Sequence, residues 1–274
     1  MCELFMMSSR YPTDVNLSIG ELAKHGAGDQ RSHDGWGIAY YEGLDVRLIK
    51  EAGPAGSSDW FPFIASRRLK SCTVIAHIRR VSQGARTYWD TQPFVRELGG
   101  RKHVFAHNGD LGDAFEKALK IGTYRPIGET DSEYAFCSLL HDIQPLWDEP
   151  RIPDLSARRA IVDRFARRLR NLGPANFIYA DGDAVFAHGH IRRQADGAFR
   201  PPGLHSLTRH CLESYDLIDT PALSINAHHQ NVTLVASVPL SEETWCATRP
   251  GDVIVVRDGE RIPSSDTGQQ LHRG

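Results

Sequence analysis

What the chain has little of narrows its chemistry first. Cysteine is scarce: five among 274 residues, at Cys2, Cys72, Cys137, Cys211 and Cys246, an odd number with no close pairs. Such spacing builds neither a disulfide framework nor a zinc ligand set, and it suits a reducing, cytoplasmic compartment. Charge of one sign is not in excess, with 32 Lys and Arg against 34 Asp and Glu. A formal net charge of -2 argues against a nucleic-acid partner or an anionic membrane surface. No stretch approaches the ~20 apolar residues that span a bilayer, and MCELFMMSSR lacks the basic region of a secretory signal. A Gly-x4-Gly-Lys-Ser/Thr phosphate loop is also missing. His188, His190, His228 and His229 have no carboxylate or cysteine pair at ligand spacing, so no metal and no cofactor is expected. These histidines read as structural, with His188 or His190 candidates to line the distal side of a substrate.

What is present is ordinary in amount, with 41% hydrophobic residues, and is organised as alternating strands and helices. Residues 1–274 read as one domain, without repeats or a dividing linker. Residues 2–7 form an apolar strand, and Ser18 with Glu21 is a capping box for a short helix ending at Gly26. Residues 27–34 are polar and predict a loop able to close over a site. Alternation predicts a hairpin of 35–41 with 46–51, a helix near 60–70, and strands at 73–78 and 103–107. Thr130 caps a helix over 131–142, and 156–172 forms another. The arginines of that second helix predict a solvated face, and Cys137 a buried thiol. A further hairpin joins 175–180 to 184–187, strands follow at 232–237 and 252–256, and 191–203 and 219–230 read as long surface loops.

Four segments carry reactive groups. Cys2 follows the initiator methionine, so removal of Met1 places a thiol and an α-amino group on one residue. Their reference pKa values, about 8.5 and 7.7–8.0, let both exchange protons near neutrality. On position alone a cysteine there is more often a small apolar residue opening a strand. Arg79 ends a strand and offers either a planar fork for a carboxylate or a surface ion pair. Asn108-Gly109 offers an amide donor beside an unhindered N–H, the makings of an oxyanion hole, and is also a common hairpin turn. Asp131, at a helix start, is either a cap or an anchor for an ammonium group.

Taken together, MCEL, HDGWGIA at 33–39, AHIRRVSQG at 76–84, AHNG at 106–109 and ETDSE at 129–133 resemble the class II glutamine amidotransferases, most closely the stand-alone bacterial YafJ type. The likeness extends over TQPF at 91–94, NFIYADG at 176–182 and ETWCATRPGD at 243–252. It implies an α+β fold, the four-layer αββα sandwich of N-terminal nucleophile hydrolases. It also implies that Cys2 attacks the side-chain amide of glutamine, its own α-amino group serving as base through a water. Asn108 and Gly109 would hold the oxyanion, Arg79 the α-carboxylate and Asp131 the α-ammonium. Gly35 and Trp36 match the segment whose backbone flanks the nucleophile.

The chain departs from that pattern twice. Ser82-Gln83-Gly84 stands where many members have Thr-x-Gly, keeping a hydroxyl for the substrate at Ser82. Gln92 replaces the histidine of a His-Pro-Phe run. The chain ends soon after its last strands, so no synthase site is expected within it. Ammonia would then pass to a separate synthase, or the protein is a stand-alone γ-glutamyl amidohydrolase acting on a modified substrate, as in relatives of thiohistidine biosynthesis. Two other readings are a glutamine-binding sensor without catalysis and a hydrolase using Cys72 or Cys137 with a histidine. The oligomeric state is not legible.

Overall fold

The structure, a computed structural model, describes residues 2–17, 35–55, 58–67, 69–79, 86–211, 217–219, 223–226 and 229–263. The expected capping box at Ser18, the 27–34 loop, Ser82 and His228 lie outside these residues.

In chain order the first half contains β1 (Glu3–Leu17), β2 (Gly35–Glu42), β3 (Asp45–Glu51), α1 (Trp60–Arg67), β4 (Lys70–Arg79), β5 (Phe94–Leu98), β6 (Arg101–Gly109), α2 (Phe115–Ala118) and α3 (Asp131–Ile143). The second half contains α4 (Leu155–Arg170), β7 (Ala175–Ala180), β8 (Val185–His188), β9 (Arg192–Arg193), β10 (Phe199–Arg200), β11 (His205–Cys211), β12 (Leu217–Asp219) and β13 (Leu223–Asn226). It closes with β14 (Gln230–Ala236), β15 (Cys246–Ala247), β16 (Val253–Arg257) and β17 (Glu260–Ile262).

Among the described residues, one sheet runs β15-β11-β14-β1-β4-β2-β3, with β13 also on β1 and β12 on β13. A second runs β17-β16-β8-β7-β6-β5, and every pairing in both is antiparallel.

Strand alternation assigns the layers. Along β1, Leu4 and Met6 join Val104, Ala106, Ile178, Ala187 and Val256 in a cluster between the two sheets. Phe5 and Met7 point the other way, onto Trp36, Val74 and Ile64 of α1. On the second sheet Phe105, Phe177 and Phe186 face outward, onto Phe136 and Leu139 of α3 and Phe165 of α4. Period-two side-chain geometry on two stacked sheets, each covered by helix, therefore yields helix, sheet, sheet, helix. Phe105 stacks on Phe136 with ring centroids 5.3 Å apart. Each buried ring contributes about 1.5–3 kcal/mol to holding helix on sheet.

Local chemistry fixes the helix ends. Thr130 accepts a hydrogen bond from the Glu133 N–H, capping α3 as its sequence predicts. Asp154 likewise accepts from the Ser156 and Ala157 N–H groups at the start of α4. The solvated face expected for α4 needs one correction, because Arg158 is buried and pairs with Asp181 and Asp183, each at 2.7 Å. The expected loops over 191–203 and 219–230 also contain the β9–β10 ribbon and parts of β12 and β13. β1 runs ten residues beyond the predicted strand, from 7 to Leu17, because β4, β14 and β13 supply partners along its length. A register irregularity between Ser8 and Thr13 accommodates the polar SSRYPT segment. Cys137 is buried, as expected.

Candidate active site

At one end of the sandwich the ladders bring separate chain segments to a common edge. β1 pairs with β4 so that Glu3 faces Ile78, and β2 pairs with β4 so that Gly35 faces Arg79. One step beyond Glu3, the same register sets Cys2 across from Arg79. Cys2, Arg79 and Gly35 therefore form a row along the sheet edge. Arg79 is buried, and Cys2 is half-buried. An ideal Cβ at Gly35 would sit 2.9 Å from Thr91 Oγ1, so only glycine leaves the neighbouring segment room.

The opposite sheet supplies the donor. β6 ends at Asn108-Gly109, which face Asn176 and Ala175 of β7. The Asn108 Nδ2 donates to the Cys2 carbonyl oxygen at 2.6 Å, bridging the two sheets at the second residue of the chain. Asn176 braces the turn: its Nδ2 donates to the Asn108 carbonyl at 3.1 Å and to the Ile191 carbonyl at 2.8 Å. Its Oδ1 accepts from the His190 N–H at 2.8 Å. A Cβ at Gly109 would collide with the Pro174 carbonyl oxygen and lie 2.7 Å from His107 Nε2, which excludes any other residue there.

Asp131 opens α3 and is tied to the same loop. Its Oδ2 accepts from the Leu111 N–H at 2.9 Å, and its Oδ1 from the Ser132 hydroxyl at 3.2 Å. Trp36 contributes backbone at this edge, whereas its ring is buried in the outer cluster and donates to Glu51 Oε2 at 3.2 Å. The structure thus gathers Cys2, Gly35, Arg79, Asn108 and Gly109, and links Asp131 to them through Leu111. Ser82 is not among the described residues.

Several residues at this end are not singled out by sequence reasoning. Glu3 is buried beside Cys2 and pairs with Arg192 at 2.8 Å, while its Oε2 has no partner among the described residues. Arg192 also donates to the Ser237 carbonyl. Burial pushes the Glu3 carboxyl up to about 7, opposed by the Arg192 charge. A lone carboxylate in the apolar run CELFMM was the available signal. Gln92 Oε1 accepts the His107 N–H at 2.6 Å, which gives the departure at position 92 a structural task. His77 is fully buried, and burial with His107 and Arg79 alongside pushes it down to about 3. His188 faces the helical layer against Phe177, not the Cys2 edge. It donates from Nδ1 to the Asp252 carbonyl at 2.9 Å, and burial lowers it to about 3.

The chain that holds Cys2 at a sheet edge facing the Asn108-Gly109 turn is similar, over nearly its whole length, to known proteins. The pattern described as "Glutamine amidotransferases class-II" matches residues 1–272. YafJ of Escherichia coli (strain K12), whose name marks it as an inferred glutamine amidotransferase, is 36% identical over 269 residues, 96% of this chain and 100% of YafJ. The crystal structure of a predicted glutamine amidotransferase from Pseudomonas aeruginosa PA01 superposes with a TM-score of 0.70 at 30% identity, covering 96% of this chain and all of that one. The Bacillus subtilis glutamine phosphoribosylpyrophosphate amidotransferase shares the fold alone, with a TM-score of 0.57 at 15% identity, over 95% of this chain and 48% of that one. The two-sheet sandwich between helices is accordingly that of the N-terminal nucleophile amidotransferases. By sequence over nearly its whole length and by fold, the chain belongs to the class II glutamine amidotransferases, a family of enzymes.

Proposed function

We propose that the enzyme hydrolyses the side-chain amide of glutamine, or of a γ-glutamyl amide, with Cys2 as nucleophile. The observation that carries this reading is the 2.6 Å bond from the Asn108 amide to the Cys2 carbonyl, with Arg79 buried at the same edge. Removal of Met1 turns Cys2 into the chain terminus and frees its α-amino group. The thiol proton passes to that amine through a water, and the sulfur attacks the amide carbon. Charge developing on the carbonyl oxygen is met by the Gly109 N–H and by the second hydrogen of Asn108 Nδ2, the first being held by Cys2.

Collapse of the tetrahedral species expels ammonia, which takes its proton from the Cys2 ammonium. Water then attacks the γ-glutamyl thioester, and glutamate leaves with the thiol restored. A zwitterionic head group needs one fixed cation and one fixed anion, the roles of Arg79 and Asp131. Gly35 and Trp36 line the nucleophile with backbone, and Ser82 adds a hydroxyl toward substrate. The whole chain acts as one domain. Hydrolysis needs no acceptor; transfer of the ammonia would need a separate synthase. Five cysteines, an odd number with no close pairs in the sequence, support a reducing, cytoplasmic setting.

Intact mass and an electrophilic glutamine analogue test the reading together. Active protein is expected to lack Met1 and to carry one adduct on Cys2. Retained Met1 in active protein, or an adduct on Cys72 or Cys137, would overturn it. Absence of any adduct would favour a glutamine sensor. Turnover across glutamine and a panel of γ-glutamyl amides then identifies the substrate.

A further inference from the structure

We propose that His107 is a positioning residue that orients Asp131 through the Ser132 hydroxyl while its ring packs against Gly109; the inference rests on the amidohydrolase reading above. Alternation along β6 sends the Asn108 side chain toward Cys2 and that of His107 to the opposite face, against the start of α3. There His107 Nδ1 lies 2.9 Å from Ser132 Oγ, and the same hydroxyl lies 3.2 Å from Asp131 Oδ1.

Donor accounting leaves one arrangement. A carboxylate oxygen only accepts, so Ser132 spends its single proton on Asp131. The Ser132 oxygen must therefore accept from His107, which puts the imidazole proton on Nδ1. Nε2 is then an unprotonated lone pair, buried and without a partner among the described residues. It points at the underside of Gly109, where a Cβ would come within 2.7 Å of it. Burial lowers the basicity of the ring, which keeps it neutral, since a second proton would be a buried donor with nothing to meet.

Two backbone contacts lock the ends of this chain. Gln92 Oε1 takes the His107 N–H at 2.6 Å, and Asp131 Oδ2 takes the Leu111 N–H at 2.9 Å. Each oxygen of Asp131 thus has one donor, the Leu111 N–H just past the Asn108-Gly109 turn on Oδ2 and the Ser132 hydroxyl held by His107 on Oδ1, and its remaining lone pairs are aimed rather than free to rotate. One imidazole references both ends of the substrate: the anchor for its ammonium and the glycine beneath its reacting carbonyl. The preceding histidine of the AHNG segment is in this way part of the site without touching substrate.

The test has two arms. Imidazole ¹⁵N spectra of the histidine-labelled enzyme are expected to show His107 neutral, with its proton on Nδ1; a proton on Nε2, or a charged ring, overturns the proposal. The second arm compares glutamine with glutaramate, which keeps the side-chain amide and lacks the α-ammonium. Ser132→Ala and His107→Leu are expected to cut the preference for glutamine about tenfold, chiefly through KM, the scale of a hydrogen bond to a charged group. His107→Asn, whose amide can replace the Nδ1 donor, is expected to restore part of it. Equal losses on both substrates, with no rescue by asparagine, would mean a merely structural histidine and would overturn the inference. A wild-type enzyme inactive on every γ-glutamyl amide would instead overturn the functional reading, and the tautomer measurement would still decide the hydrogen-bond chain.

Discussion

Replacing Asn108 with alanine removes two contacts at once: the 2.6 Å bond to the Cys2 carbonyl and the donor assigned to the oxyanion. The backbone is expected to hold, because Asn176 grips the Asn108 carbonyl and Pro174 the Asp110 N–H, and neither contact uses the lost amide. Stability should fall by only about 1 kcal/mol, the net worth of one hydrogen bond, which lowers Tm by about 2–4 °C. Activity should fall far more. Loss of one oxyanion donor costs about 10²–10³ in kcat, equivalent to about 2.7–4 kcal/mol of transition-state stabilisation. KM should move little, since Arg79 and Asp131 remain. Asn108→Asp should do no better, because it sets a negative charge beside the developing oxyanion. Steady-state glutamine hydrolysis with a parallel melting curve separates the two effects. An Asn108→Ala enzyme within threefold of wild type in kcat would refute the reasoning, as would a loss confined to KM.

Three further outcomes are expected. Arg79→Lys should raise KM for glutamine at least tenfold with a smaller change in kcat, because a single ammonium cannot reproduce the planar fork; unchanged KM would remove Arg79 from the head-group role. The Glu3 carboxyl is raised to about 7 from an ordinary value near 4.3, so the folded state binds that proton more tightly than the unfolded chain. Its stabilisation is full below about pH 4.3 and lost as pH rises through about 7, so the Tm difference between wild type and Glu3→Gln should change across that window. A difference curve flat from pH 4 to 8 would contradict it. Arg158→Ala should leave Asp181 buried without its partner and cost about 3–5 kcal/mol, lowering Tm by on the order of 10 °C; a shift under 2 °C would show the pair to be idle.

The parts of the molecule readable in advance are those set by neighbours in the chain. The β2–β3 and β7–β8 hairpins follow from alternation broken by a short polar turn, and α3 from Thr130 placed three residues before Glu133. β11, with its sequence HSLTRHC, carries no strand signal of its own, because its polar and apolar residues make sense only once β14 and β15 lie on either side of it. The loop readings over 191–203 and 219–230 leave out the short strands within them, since strands of two to four residues carry too few side chains to announce themselves. Arg158 looked like its solvated neighbours because nothing near it in sequence reveals Asp181 and Asp183 waiting on the facing hairpin.

The sequence by itself determined the candidate groups and their order: a cysteine next to the first methionine, an arginine at a strand end, an Asn-Gly turn and an aspartate at a helix start. Each is legible from its side-chain chemistry and its immediate neighbours, which chain order specifies completely. Only the tertiary structure decided how they are held. The pairing of Glu3 with Arg192 crosses 189 residues, the Asn108 bond to Cys2 crosses 106, and the Ser132 hydroxyl reaches His107 across 25. Such contacts depend on the register of two sheets and the docking of a helix, and those are set by burial of side chains distributed over the entire chain.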